Sequence, residues 1–125
     1  MMLWAGFLYA EDMLDHRTYS VEVGDAGKET GVPDQFTFQN GKFESAAATV
    51  QGFEKSAYEA TAVSGVITFS AAARNKKGAE KSWKGTIVAK TIEGSVVTTE
   101  RVQAKNKEDE DEEKKSECWF KNLSK

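Results

Sequence analysis

The chain has 125 residues, 39% of them hydrophobic and 30% charged, with a net charge of -3, ten glycines, one proline and one cysteine. That length suits one domain, burying roughly two-thirds of its unfolded surface without a covalent staple. The lysines are spread among carboxylates, which argues against nucleic acid as a partner, and a lone Cys118 excludes an intrachain disulfide and a tetrahedral thiolate metal site.

Met1 to Ala10 (MMLWAGFLYA) is apolar and gives way abruptly to Glu11-Asp12. Two readings stand for this 1–12 segment. As a signal remnant it would place the protein in the periplasm or outside the cell, although a basic n-region is missing and Leu8 is not small. As a first strand or short helix it would pack on the domain. Nothing else approaches the ~20 apolar residues of a transmembrane helix, so no membrane span is expected.

Residues 13–125 read as a single β-barrel domain. Arg17 to Val23 alternates, with Tyr19, Val21 and Val23 on one face and Thr18, Ser20 and Glu22 on the other, the period of a half-buried strand. Asp25 to Asp34 contains Gly27, Gly31 and Pro33 and reads as a loop. Asn40-Gly41 is the strongest short hairpin signal, because a type I′ turn requires positive φ at both central residues. A two-residue turn fixes the pairing, so Phe38 should oppose Phe43, Phe36 oppose Ser45, and Thr37 oppose Glu44 on the other face.

Ala46 to Phe53 predicts a short helix or crossover that tucks Phe53 into the core. Around Ser64-Gly65, Ala62 should meet Ile67, Ala60 meet Phe69 and Tyr58 meet Ala71, with Glu59, Thr61, Thr68 and Ser70 outward. Slipping this register by one residue would expose Ile67 and Phe69, at about 1.5–3 kcal/mol each. Around Ala89-Lys90 the pairs are Ile87 with Ile92, Gly85 with Gly94 and Trp83 with Val96. Facing glycines beside a tryptophan permit strong coiling and favour a curved or closed sheet. Residues 105–116 hold six consecutive acids, Glu108 to Glu113, and read as a solvated acidic loop. A last strand from Glu117 to Leu123 would return to the first and close the sheet.

The series Asn40-Gly41, Ile67-Thr68-Phe69, Trp83-Lys84-Gly85-Thr86-Ile87, Ile92-Glu93-Gly94 and Trp119-Phe120-Lys121 resembles small bacterial domains of unknown function with lipocalin-like (calycin) barrels. The Gly-x-Trp of ligand-carrying lipocalins is absent from the first strand, where Asp15-His16-Arg17-Thr18 stands. The resemblance implies an all-β, antiparallel up-and-down barrel of about eight strands with an apolar interior, and no catalytic residue.

The expected function is therefore non-enzymatic. One reading is a carrier of a small apolar ligand, with Tyr58, Trp83, Phe38, Phe43, Phe69 and Ile87 lining the site and Tyr58 and Trp83 orienting it through their polar atoms. The other is a structural or protein-interaction module whose barrel is filled, favoured by the excess of bulky inward residues over Ala60, Ala62, Ala71, Gly85 and Gly94. His16 beside Asp15 lacks the Gly-x-Ser-x-Gly elbow of a nucleophilic triad, and the acidic run lacks the spacing of a calcium loop. No catalytic residue, metal or cofactor is assigned. Cys118, beside Trp119 and Phe120, reads as a small buried hydrophobe.

Overall fold

A computed structural model describes residues 14–102 and 112–123. Eight antiparallel strands, each bonded to the next in sequence, close into a barrel when the last meets the first. They are β1 (Arg17–Asp25), β2 (Val32–Gln39), β3 (Lys42–Ser45), β4 (Ser56–Val63), β5 (Val66–Arg74), β6 (Glu80–Val88), β7 (Thr91–Val102) and β8 (Glu112–Asn122), with a short helix α1 (Ala46–Val50) between β3 and β4. The expected all-β up-and-down barrel and its short crossover helix are both present. The apolar 1–12 segment lies outside the described residues.

The two-residue turns impose the expected registers. Phe38 faces Phe43 and Phe36 faces Ser45; Tyr58 faces Ala71 and Ala60 faces Phe69; Trp83 faces Val96 and Gly85 faces Gly94. Strand parity then sets all three turns at one end of the barrel, and the wider connections at the other. Asn40 and Gly41 have φ of 56° and 74°, and Ser64 and Gly65 have 52° and 81°, so both central residues are left-handed as type I′ demands. At the third turn Ala89 alone has positive φ, 56°, the pattern of type II′, whose first central position favours glycine. Asn122 ties this turn to β8, accepting from the Ile92 amide at 2.8 Å and donating to the Lys90 carbonyl at 3.1 Å. Ala89→Gly should relieve the strain at Cβ and raise stability by about 1 kcal/mol, read as a higher urea midpoint with an unchanged slope.

Two strand boundaries and the burial of one residue differ from the sequence expectation. Val32 to Asp34 belong to β2 rather than to the preceding loop, and Pro33 pairs with Glu22 of β1. The final strand begins at Glu112, so residues 112–116 extend the ladder instead of the acidic loop. A twelve-residue β7 supplies the partner, and Lys114 falls opposite Glu100, where unlike charges favour pairing. Ala62 does pair with Ile67, but it is exposed because it lies at the barrel rim beside the Ser64-Gly65 turn.

The core is one cluster running the length of the barrel. Phe36, Phe38, Phe43, Phe69, Phe120, Ile87, Ile92, Val21 and Leu14 are fully enclosed. Phe53 is buried as expected, beneath the Lys81 ammonium at 5.4 Å from its ring centroid. Leu14 closes the end that carries the three turns, held by its neighbour: Asp15 accepts from the Tyr58 hydroxyl at 2.5 Å and from the Gly41 amide at 3.2 Å. At the other end α1 is capped by Ser45, whose hydroxyl accepts from the Ala48 amide at 3.2 Å and donates to Asp34 at 2.5 Å.

Candidate functional site

The six residues expected to line a ligand site all point inward and are buried. Five of them are rings in direct mutual contact. Phe38 lies 5.3 Å from Phe43, 5.0 Å from Tyr58 and 5.2 Å from Phe69, centroid to centroid, and Phe43 lies 4.9 Å from Trp83. Tilted and edge-on pairings set the positive edge of one ring against the negative face of the next, so the rings interlock across the barrel axis. Ile87 completes the wall at 1% exposure. Tyr58, expected to orient a ligand, spends its hydroxyl on Asp15.

Trp83 also borders a recess of about 200 Å³ at the end carrying α1, together with Val23, Ser45, Ala48, Val96 and Cys118. Its polar rim is Asp25, Asp34 and Lys81. Cys118 is half-buried here rather than enclosed, because its strand position falls at the barrel mouth. Burial pushes its thiol above the ordinary value, and the Asp25 carboxylate, accepting from Sγ at 3.6 Å, adds to the rise by holding the proton and repelling a thiolate. Lys81 acts in the opposite direction and does not prevail. Since the thiolate is the nucleophile, alkylation of Cys118 should be slow at pH 7 and climb only above the usual thiol range. Asp25→Asn, which removes the charge, should shift that rate profile to lower pH; an unchanged iodoacetamide profile would contradict the assignment.

A larger concavity lies outside the barrel, and its origin is the glycine pair. A Cβ on Gly85 would meet Phe120 Cζ at 2.7 Å and Phe69 Cε1 at 2.8 Å, and one on Gly94 would meet the Lys84 carbonyl oxygen at 2.1 Å. The rings and the facing strand's backbone thus occupy the space that a side chain at either position would take. On the outer surface lies an open groove of about 980 Å³. Lys84, Thr86, Glu93 and Lys121 line it, and Trp119 stands beside Lys28 and Glu29 of the β1–β2 loop. Trp119 is fixed by Nε1 donating to the Lys28 carbonyl at 2.9 Å, by close approach to Gly24, and by the Lys121 ammonium 5.1 Å from its ring centroid. Sequence reasoning singled out the glycine pair for its curvature and missed the groove, because an outward depression is written only in what the inward face lacks.

The remaining candidates are dispersed. His16 is exposed with φ 71°, and the neighbouring Asp15 is engaged by Tyr58 and Gly41. Trp83 lies inside the barrel and Trp119 outside, so these two rings do not form a common stacking surface. Trp4 and the acids Glu108 to Asp111 lie outside the described residues. Among the described residues no three His, Cys, Asp or Glu side chains converge as metal ligands, and no helix is long and apolar enough to cross a membrane. Comparison of the chain with protein-family models, with curated proteins and with solved structures returned no match.

Proposed function

We propose that this protein is a non-enzymatic interaction module whose barrel is filled and whose working surface is its exterior. One observation carries the reading: the side chains that would line a ligand cavity are packed ring against ring along the axis. Interiors at this packing leave no room for a guest without displacing a ring, and displacing one forfeits several kcal/mol of burial. The groove above Gly85 and Gly94, with lysines and glutamates interspersed around Trp119, is the concavity best suited to a protein partner.

The second reading is the apolar carrier, favoured by the recess beside Trp83. That recess is about 200 Å³ and adjoins a more polar one of about 490 Å³ lined by Gln51, Phe53, Lys81 and Cys118; neither reaches between the interlocked rings of the axis, so the interaction reading stands first. The barrel topology supports the resemblance to lipocalin-like barrels, and the apolar Met1 to Ala10 supports a periplasmic or secreted setting. Titration with a fatty acid and with a fluorescent apolar probe, followed by tryptophan emission, tests the main reading. No saturable change is expected. Stoichiometric, saturable uptake would overturn it in favour of the carrier.

A further inference from the structure

We propose that the outer face of β4, β5 and β6 docks a second copy of this chain, in a dimer whose two-fold axis runs along β5. The inference rests on the interaction reading above and names its partner. Register arranges this face in three rows. Val63, Val66 and Val88 form the row nearest the turns, Thr61, Thr68 and Thr86 the next, and Glu59, Ser70 and Lys84 the third. The valines are 70%, 36% and 49% exposed. An isolated exposed valine is ordinary, but three side by side at about 5 Å spacing form a continuous apolar strip.

The charges select the orientation. Glu59 and Lys84 flank Ser70 in one row, and among the described residues the ion pairs are Lys28–Asp25 and Arg74–Glu80, so neither is engaged in one. A half-turn about an axis parallel to β5 lays each row on itself in reverse order. The partner's Lys84 then faces Glu59, the partner's Val88 covers Val63, and the partner's Val66 meets Val66. Because the contact is isologous, the Glu59–Lys84 bridge forms twice. An axis across the strands would instead set valines on Glu59 and Lys84, burying charge against apolar surface. The chosen arrangement is an aligned sheet-on-sheet packing, and it brings the partner's β4 against the β6 wall of the groove. Nine side chains fall short of the roughly 800 Å² per partner of a standard interface, which places the dimer in the weak, readily exchanging class.

Sedimentation equilibrium of the full chain, carried to about 1 mM, tests this. A reversible monomer–dimer equilibrium is expected. Val66→Lys should abolish it, since one substitution places two lysines face to face. Glu59→Lys and Lys84→Glu should each weaken association about tenfold, and the two together should restore it. A chain that stays monomeric throughout overturns the dimer and leaves the filled-barrel reading, which falls only to saturable probe uptake. A dimer that survives both Val66→Lys and Glu59→Lys also overturns it, assigning the contact to another part of the chain.

Discussion

Gly94→Ala is expected to destabilise the barrel by about 3 kcal/mol or more, at the upper end of what overpacking costs. The added methyl would lie 2.1 Å from the Lys84 carbonyl oxygen, 2.5 Å from Phe120 Cζ and 2.6 Å from the Gly85 Cα. Two of these neighbours are backbone atoms of the adjoining strand, so no side-chain rotation relieves the clash. The conflict is one of space rather than of dihedral preference, since Gly94 does not have positive φ. Gly41→Ala is the informative comparison: its Cβ would meet nothing within 4 Å, and its φ of 74° makes it a purely conformational cost, about 1–2 kcal/mol. Urea unfolding should therefore rank Gly94→Ala well below Gly41→Ala. The reverse order would mean that β6 and β7 do not approach as closely as described.

Phe38→Ala should cost about 3–5 kcal/mol, a large share of the 5–15 kcal/mol typical of a whole domain. Phe38 is fully enclosed and touches four other rings, those of Tyr19, Phe43, Tyr58 and Phe69. Truncation removes the buried ring and leaves a hole bounded by aromatic faces, which the rigid barrel wall cannot collapse to fill. An apolar hole of this kind stays dry and admits a small apolar guest. Benzene or indole should therefore raise the melting temperature of the variant and leave that of the wild type unchanged. Equal shifts in both proteins would indicate that the native barrel already holds space, and a loss below about 1 kcal/mol would contradict the interlocked packing.

Most of the barrel was legible because two-residue turns leave no freedom in pairing. Once Asn40-Gly41, Ser64-Gly65 and Ala89-Lys90 were placed, Phe38 had to face Phe43, and Gly85 had to face Gly94. Legibility failed where composition and tertiary pairing disagree. Pro33 beside Gly31 signals a loop, yet β1 is nine residues long and supplies Glu22 as a partner for Pro33. Glu112 and Glu113 close a run of acids, yet β7 extends far enough to pair with them. For the candidate site, the sequence identified the inward residues correctly but could not say whether they leave a void. Five rings at one end of a list of candidates look the same whether they surround a guest or one another. Only their centroid distances distinguish the cases.

The seams between strands are unequal in length. β3 and β4 share two register pairs, Lys42 with Ala57 and Phe43 with Ser56, whereas β6 and β7 share nine. The shortest seam is where a closed barrel parts first, and parting it creates two free strand edges. β3 is four residues long and runs straight into a capped helix, which blunts it as a template. β4 is eight residues long, and its edge would be the one open to strand addition from another molecule. Among the described residues the hazard of aggregation is thus concentrated in Ser56–Val63, and the Tyr58 amide, donating to the Gly41 carbonyl at 3.3 Å, helps to keep that line shut.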